Sequence, residues 1–83
     1  MLTSNPKATK LRELISSGVF LPMPCCFDAL SGKMIEQAGF NLTFMSGFAA
    51  SASRIGAPDL GLMSYGEVVD HARNITDATS IPL

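Results

Sequence analysis

The stretch of this 83-residue chain best equipped for chemistry is Phe44-Met45-Ser46-Gly47-Phe48, where an apolar run beginning at Leu42 breaks at a serine and a glycine. A strand handing over to a loop at the rim of a sheet reads this way, and that rim is where α/β folds place their chemistry. The Ser46 hydroxyl and successive backbone N–H groups in a tight turn make a concave set of donors suited to a carboxylate or phosphate oxygen. Downstream, Gly56-Ala57-Pro58-Asp59-Leu60-Gly61 is punctuated like a rim loop, so the acid Asp59 is free to face a site. Each feature also has a plainer reading. Ser46-Gly47 can be a turn and no more, and Asp59 can be spent on an Asx-turn or a cap.

The other reactive side chains offer less. Cys25 and Cys26 are adjacent, so in a strand they point to opposite faces, and a vicinal disulfide would be strained. No second Cys pair or His pair completes a zinc site. Two buried apolar thiols are expected instead. His71 falls beside the apolar stripe of a helix rather than in a loop, which predicts a solvated or locally bonded histidine and not a base.

The elements that position these residues follow from periodicity and punctuation. After a loose start, Asn5 and Pro6 supply an N-cap and a first helical residue, and Ala8, Leu11, Leu14 and Ile15 recur at helical spacing until Gly18. Val19 to Cys26 is apolar but interrupted by Pro22 and Pro24, which predicts an irregular strand with a regular part of only Cys25, Cys26 and Phe27. Asp28 then caps a helix whose apolar face is Leu30, Met34, Ile35 and Ala38, stopped by Gly39. Leu42 to Met45 is the second strand, and the crossover has the length of a right-handed parallel unit.

Phe48 to Ser53, rich in Ala and Ser, is compatible with one or two helical turns or with a loop held over a ligand. Ser64 and Glu67 form a capping box opening a helix with Val68, Ala72, Ile75 and Thr79 on one stripe. Ile81-Pro82-Leu83 reads as the opening of a third parallel strand. The order helix, strand, helix, strand, long loop, helix, strand is that of an α/β sheet or barrel at its start.

Composition narrows the function classes. Hydrophobic residues make up 47% of the chain and charged ones 16%, below the ordinary charged share of about 25%. Such a small domain should carry more polar surface, so part of its apolar surface is expected to be covered by further chain or by a partner. A net charge of −1 with scattered basic residues leaves no footprint for nucleic acid or anionic lipid. No apolar run approaches a membrane span and no signal-peptide core is visible, which makes the cytoplasm the expected compartment, or an organelle whose transit peptide has been left out.

Four linked segments carry a resemblance: Cys26-Phe27-Asp28-Ala29-Leu30-Ser31, Glu36-Gln37-Ala38-Gly39-Phe40, Phe44-Met45-Ser46-Gly47-Phe48 and Gly56-Ala57-Pro58-Asp59-Leu60-Gly61. In order and spacing, from about Leu11 to Leu83, the chain resembles the N-terminal portion of the isocitrate lyase/phosphoenolpyruvate mutase superfamily. Its phosphoenolpyruvate-mutase-like branch is the nearest in look. The resemblance implies residues 1–83 as a truncated segment of a single (β/α)8 TIM-barrel domain, made of the first two βα units and the start of a third strand, in a homo-oligomer.

It also implies a Mg²⁺-dependent lyase or mutase that cleaves or forms a C–C or P–C bond in a small α-oxo or hydroxy carboxylate. Phe44 matches an aromatic position lining the pocket. Ser46, Gly47 and Phe48 match the turn that holds substrate oxygens, and Asp59 matches an aspartate near the metal that acts through bound water. In the family an Asp-x-Asp motif follows the third strand and binds Mg²⁺. The residues up to Leu83 stop short of it, so the 83-residue chain alone is expected to be inactive. Two other readings stand beside this one: a non-catalytic module that buries its sheet edge by self-association or against a partner, and a flavodoxin-like phosphate-binding domain. The second is disfavoured because no Gly-rich loop follows the first strand.

Overall fold

Asn5 opens the first element. Its Oδ1 accepts the N–H groups of Lys7 at 3.0 Å and Ala8 at 3.2 Å, and Pro6, which has no N–H to satisfy, begins helix α1, Pro6–Ser16. This computed structural model describes residues 5–83; the loose start expected before Asn5 lies outside the described residues. Gly18, at φ +75°, turns the chain out of α1 in a conformation other residues resist. The apolar stripe of α1 is only half covered: none of its residues is buried, and Ile15 is exposed. The helix is held at its start, where Lys7 Nζ donates to the carbonyls of Thr76 and Thr79.

The strands are β1, Cys25–Cys26, and β2, Phe44–Met45, paired in parallel with Cys25 opposite Phe44 and Cys26 opposite Met45. Both are shorter than the apolar runs that contain them. Pro22 and Pro24 have no N–H for a ladder, so β1 begins only after them. Phe44 and Ser46 donate their N–H groups toward β1, to the carbonyls of Pro24 at 3.3 Å and Cys26 at 3.0 Å. Thr43 N–H points the other way and meets the Pro82 carbonyl at 3.0 Å. The expected third strand at 81–83 therefore lies beside β2 on the side away from β1, but that single bond does not make a ladder and no strand is formed there.

Between the strands runs α2, Ala29–Gln37, opened by Asp28: its Oδ1 accepts Ser31 N–H at 2.8 Å, while Ser31 Oγ accepts Asp28 N–H at 3.1 Å. The face of α2 differs from the one its periodicity predicts. Leu30 and Met34 are 66% and 60% exposed, and the buried residue is Gly32. There α2 presses on the last helix, so closely that a Cβ on Gly32 would stand 3.2 Å from Ile75 Cγ2 and 3.3 Å from Thr79 Cγ2. Close helix approach selects the side that has no side chain, which a count of apolar residues does not register.

The Ala- and Ser-rich stretch is a helix, α3, Gly47–Ile55, ended by Gly56 in the left-handed conformation. The last helix, α4, Tyr65–Ala78, begins with the expected reciprocal pair: Glu67 N–H donates to Ser64 Oγ and Ser64 N–H to Glu67 Oε1. Arg54 at the end of α3 bridges to Asp70 of α4 at 3.1 Å and to Glu67 at 3.8 Å. The buried apolar side chains are Cys26, Leu42, Ala50 and Ile75, a small core for so apolar a chain. Large apolar residues stay in solvent, Phe20 at 90% exposure foremost. No helix among the described residues is long and apolar enough to cross a membrane.

Candidate functional site at the β2–α3 junction

Ser46 stands at the joint between β2 and α3 and is bonded in three ways. Its N–H reaches the Cys26 carbonyl at 3.0 Å, its carbonyl accepts Ala50 N–H at 2.8 Å, and its Oγ accepts Ala49 N–H at 3.1 Å. The hydroxyl is thus an N-cap, and its own O–H proton is left over for another acceptor. Gly47 and Phe48 occupy the first turn of α3, whose N–H groups have no intrahelical acceptor. A turn and a donor site are here the same backbone.

Asp59 comes to this turn across the rim loop. A Cβ placed on Gly47 would meet Asp59 Oδ2 at 2.9 Å and its Cγ at 3.6 Å. No hydrogen bond to the Asp59 carboxylate is formed among the described residues, so the plainer role of an Asx-turn or cap is not taken up. Gly47 and Asp59 together wall a cavity of about 160 Å³, whose remaining lining includes Met45, Ala50, Met63 and Val68. The N-terminal end of a helix favours a nearby carboxylate, and since Asp59 is exposed that attraction is screened by solvent.

The aromatic candidates stand apart from that cavity. Phe44 precedes Met45 in β2, so the two point to opposite faces, and Phe44 is 49% exposed on the face away from the cavity. Phe48 is 71% exposed and does not line the cavity either. Of the five candidates, the structure brings Gly47 and Asp59 into contact, sets Ser46 directly before them, and leaves Phe44 and Phe48 open.

Two expectations need correction. Cys25 is exposed and only Cys26 is buried, because the two faces of this strand differ: one meets the core and the other does not. His71 is neither solvated nor locally bonded. It is buried, and its Nε2 is hydrogen-bonded to the Phe27 carbonyl just past β1. The stripe of Val68, Ala72 and Ile75 passes one position from it, which was the available signal. Ser51 was also passed over; it is buried beside the cavity with its hydroxyl 3.5 Å from Met63 Sδ.

A magnesium ion takes oxygen ligands and retains water. The exposed carboxylate of Asp59 fits such an ion as a single oxygen group or an anchor for its water. Among the described residues no three His, Cys, Asp or Glu side chains cluster to enclose one. Elsewhere, two carboxylates are tuned by structural bonds. The Ser80 hydroxyl and N–H hold the Glu36 carboxyl below its ordinary range, and the Ser64 N–H does the same for Glu67.

The phosphoenolpyruvate phosphomutase family model matches residues 11–83. The chain is 41% identical over 83 aligned positions to the chloroplastic carboxyvinyl-carboxyphosphonate phosphorylmutase of Arabidopsis thaliana, covering 95% of this chain and 24% of that one. It is 38% identical over 76 to the 2,3-dimethylmalate lyase of Eubacterium barkeri, covering 92% of this chain and 26% of the relative. A crystal structure of phosphonopyruvate hydrolase in complex with oxalate and Mg²⁺ superposes with a TM-score of 0.86 at 35% identity, over 93% of this chain and 27% of the other. The chain spans about a quarter of the length of the curated relatives it matches. The matched span, residues 11–83, contains Ser46, Gly47 and Asp59, and the chain belongs to the phosphoenolpyruvate phosphomutase family, within the isocitrate lyase/phosphoenolpyruvate mutase superfamily, as an N-terminal part.

Proposed function

We propose that residues 1–83 are the N-terminal segment of a single (β/α)8 barrel domain that works as a Mg²⁺-dependent lyase or phosphonomutase on a small α-oxo or hydroxy carboxylate. The observation that carries this reading is the contact between Asp59 and Gly47 at the N-terminus of α3, which sets an unbonded acid beside free helix donors. The names of the relatives support the substrate class, since each acts on a small carboxylate or phosphonate acid.

In this reading the Ser46 hydroxyl and the N–H groups of Gly47 and Phe48 bind and orient the substrate carboxylate. The aromatic-wall role of Phe44 rests on the family resemblance alone, since its side chain is half exposed on the face of β2 away from the Gly47–Asp59 cavity. Asp59, beside Gly47, would hold a water bound to the metal. When bound, Mg²⁺ supplies Lewis-acid stabilisation of charge developing on the substrate carbonyl oxygen. The cleaved or formed bond, C–C or P–C, is the one next to that carbonyl.

Further metal ligands and the proton-transfer groups belong to chain beyond these residues, so the 83-residue polypeptide alone binds no substrate productively. The exposed apolar side chains, Phe20 among them, are covered in the complete barrel and its homo-oligomer, in the cytoplasm. A turnover assay of the complete protein tests the reading. With Mg²⁺ it should release product from at least one of 2,3-dimethylmalate, 2-methylisocitrate, oxaloacetate or a phosphonopyruvate-type acid, and chelation should abolish that release. Failure on all four would sink it.

A further inference from the structure

We infer that His71 is a positioning residue for the Ser46 turn, acting from α4 through the carbonyls at the end of β1. The inference rests on the carboxylate-binding reading of that turn.

The chain of bonds is short. His71 is buried in α4, and its Nε2 meets the Phe27 carbonyl, a group that only accepts; the ring therefore carries its proton on Nε2. Phe27 lies immediately past β1, outside the two-residue ladder, so its carbonyl has no strand partner. The preceding carbonyl, that of Cys26, accepts the Ser46 N–H at 3.0 Å. Phe27 N–H is in turn held by Ser31 Oγ at 3.0 Å, at the start of α2. Two successive peptide units at the exit of β1 are thus held: Cys26–Phe27 by Ser46 and Ser31, and Phe27–Asp28 by His71 of α4.

Their placement matters because β1 and β2 are only two residues each. So brief a ladder gives the rim little stiffness of its own. The same α4 is capped by Ser64, shortly after the loop that carries Asp59, and Val68 of α4 lines the cavity beside Gly47. His71 accordingly ties the helix behind the Asp59 loop to the backbone that orients Ser46. A histidine needed for core filling alone could be an apolar residue. The Phe27 carbonyl accepts no other hydrogen bond among the described residues, so an apolar replacement removes the one bond that holds it.

The test compares His71→Leu and His71→Gln in the complete protein, reading amide hydrogen exchange at Ser46 and Ala49 together with affinity for oxalate in the presence of Mg²⁺. Removing the donor should speed exchange at both amides about tenfold while the amides of α2 keep their rates, and should weaken oxalate by about tenfold. His71→Gln, whose amide can still donate, should restore most of both. Unchanged Ser46 exchange in a folded His71→Leu protein overturns the inference. Should His71→Leu not fold, His71→Asn, with an amide too short to reach the Phe27 carbonyl, carries the same expectation. Wild-type protein that binds no oxalate would sink the carboxylate-binding reading instead, and the exchange rates at Ser46 would still decide whether His71 orders the turn.

Discussion

Asp59 Oδ2 lies where a side chain on Gly47 would have to be, 2.9 Å from the position of its missing Cβ. Gly47 has no left-handed φ, so the glycine is required here for space and not for backbone freedom. Sequence positions in a strand-to-helix turn and in a separate rim loop are thereby brought together around one cavity.

Gly47→Ala follows directly. In a helix, Ala is ordinarily better than Gly by about 1 kcal/mol. The added methyl displaces a carboxylate at the end of a loop, which can move, so thermal stability should change by less than about 1 kcal/mol. Oxalate affinity in the complete protein should nevertheless fall at least about tenfold. Melting and titration run side by side check both halves, and unaltered affinity would count against the contact as part of a site.

Gly32→Val should behave in the opposite way. Its Cβ would already stand 3.2 Å from Ile75 and 3.3 Å from Thr79, both buried and β-branched, with little freedom to turn aside. Two further methyl groups between α2 and α4 should cost about 1–3 kcal/mol. Chemical denaturation reads the loss as a lower midpoint with an unchanged slope.

The acid limb of stability should report on Glu36 and Glu67. Ser80 donors lower the carboxyl of Glu36, and Ser64 donors that of Glu67, below the ordinary value of 4.5. Groups depressed in the folded state contribute stability above the unfolded value, and that contribution fades as pH falls through the folded one. The denaturation midpoint should therefore drop as pH falls below 4.5, and Glu36→Gln should shallow that drop. A variant with the wild-type acid limb would show that the Ser80 bonds do not persist in solution.

Much of this architecture is legible in the residues because helix ends are local. Asn5-Pro6, Asp28 and Ser64 with Glu67 cap the helices they were expected to cap, since a side chain and its N–H acceptor lie within one turn of each other. The parallel strands are legible for the same reason, each bounded by Pro, Gly or Ser nearby.

What escapes is set by distance. The buried face of α2 is chosen by Gly32 against Ile75, a contact no hydrophobic period describes. His71 finds its partner at Phe27, with α2, β2 and α3 between them in sequence, and residues 81–83 meet β2 through a single hydrogen bond, from Thr43 N–H to the Pro82 carbonyl. At the candidate site the residue types were visible, whereas the approach of Asp59 to Gly47 required the fold.

The most direct measurement is a calorimetric titration of oxalate into the complete protein with and without Mg²⁺, for wild type and Asp59→Ala. Wild type should bind only with the metal, and Asp59→Ala should need roughly 10–100 times more Mg²⁺ for the same oxalate affinity. Binding by Asp59→Ala at wild-type affinity and metal requirement would contradict the assignment of the Ser46-Gly47-Asp59 rim as the carboxylate and metal-water cradle.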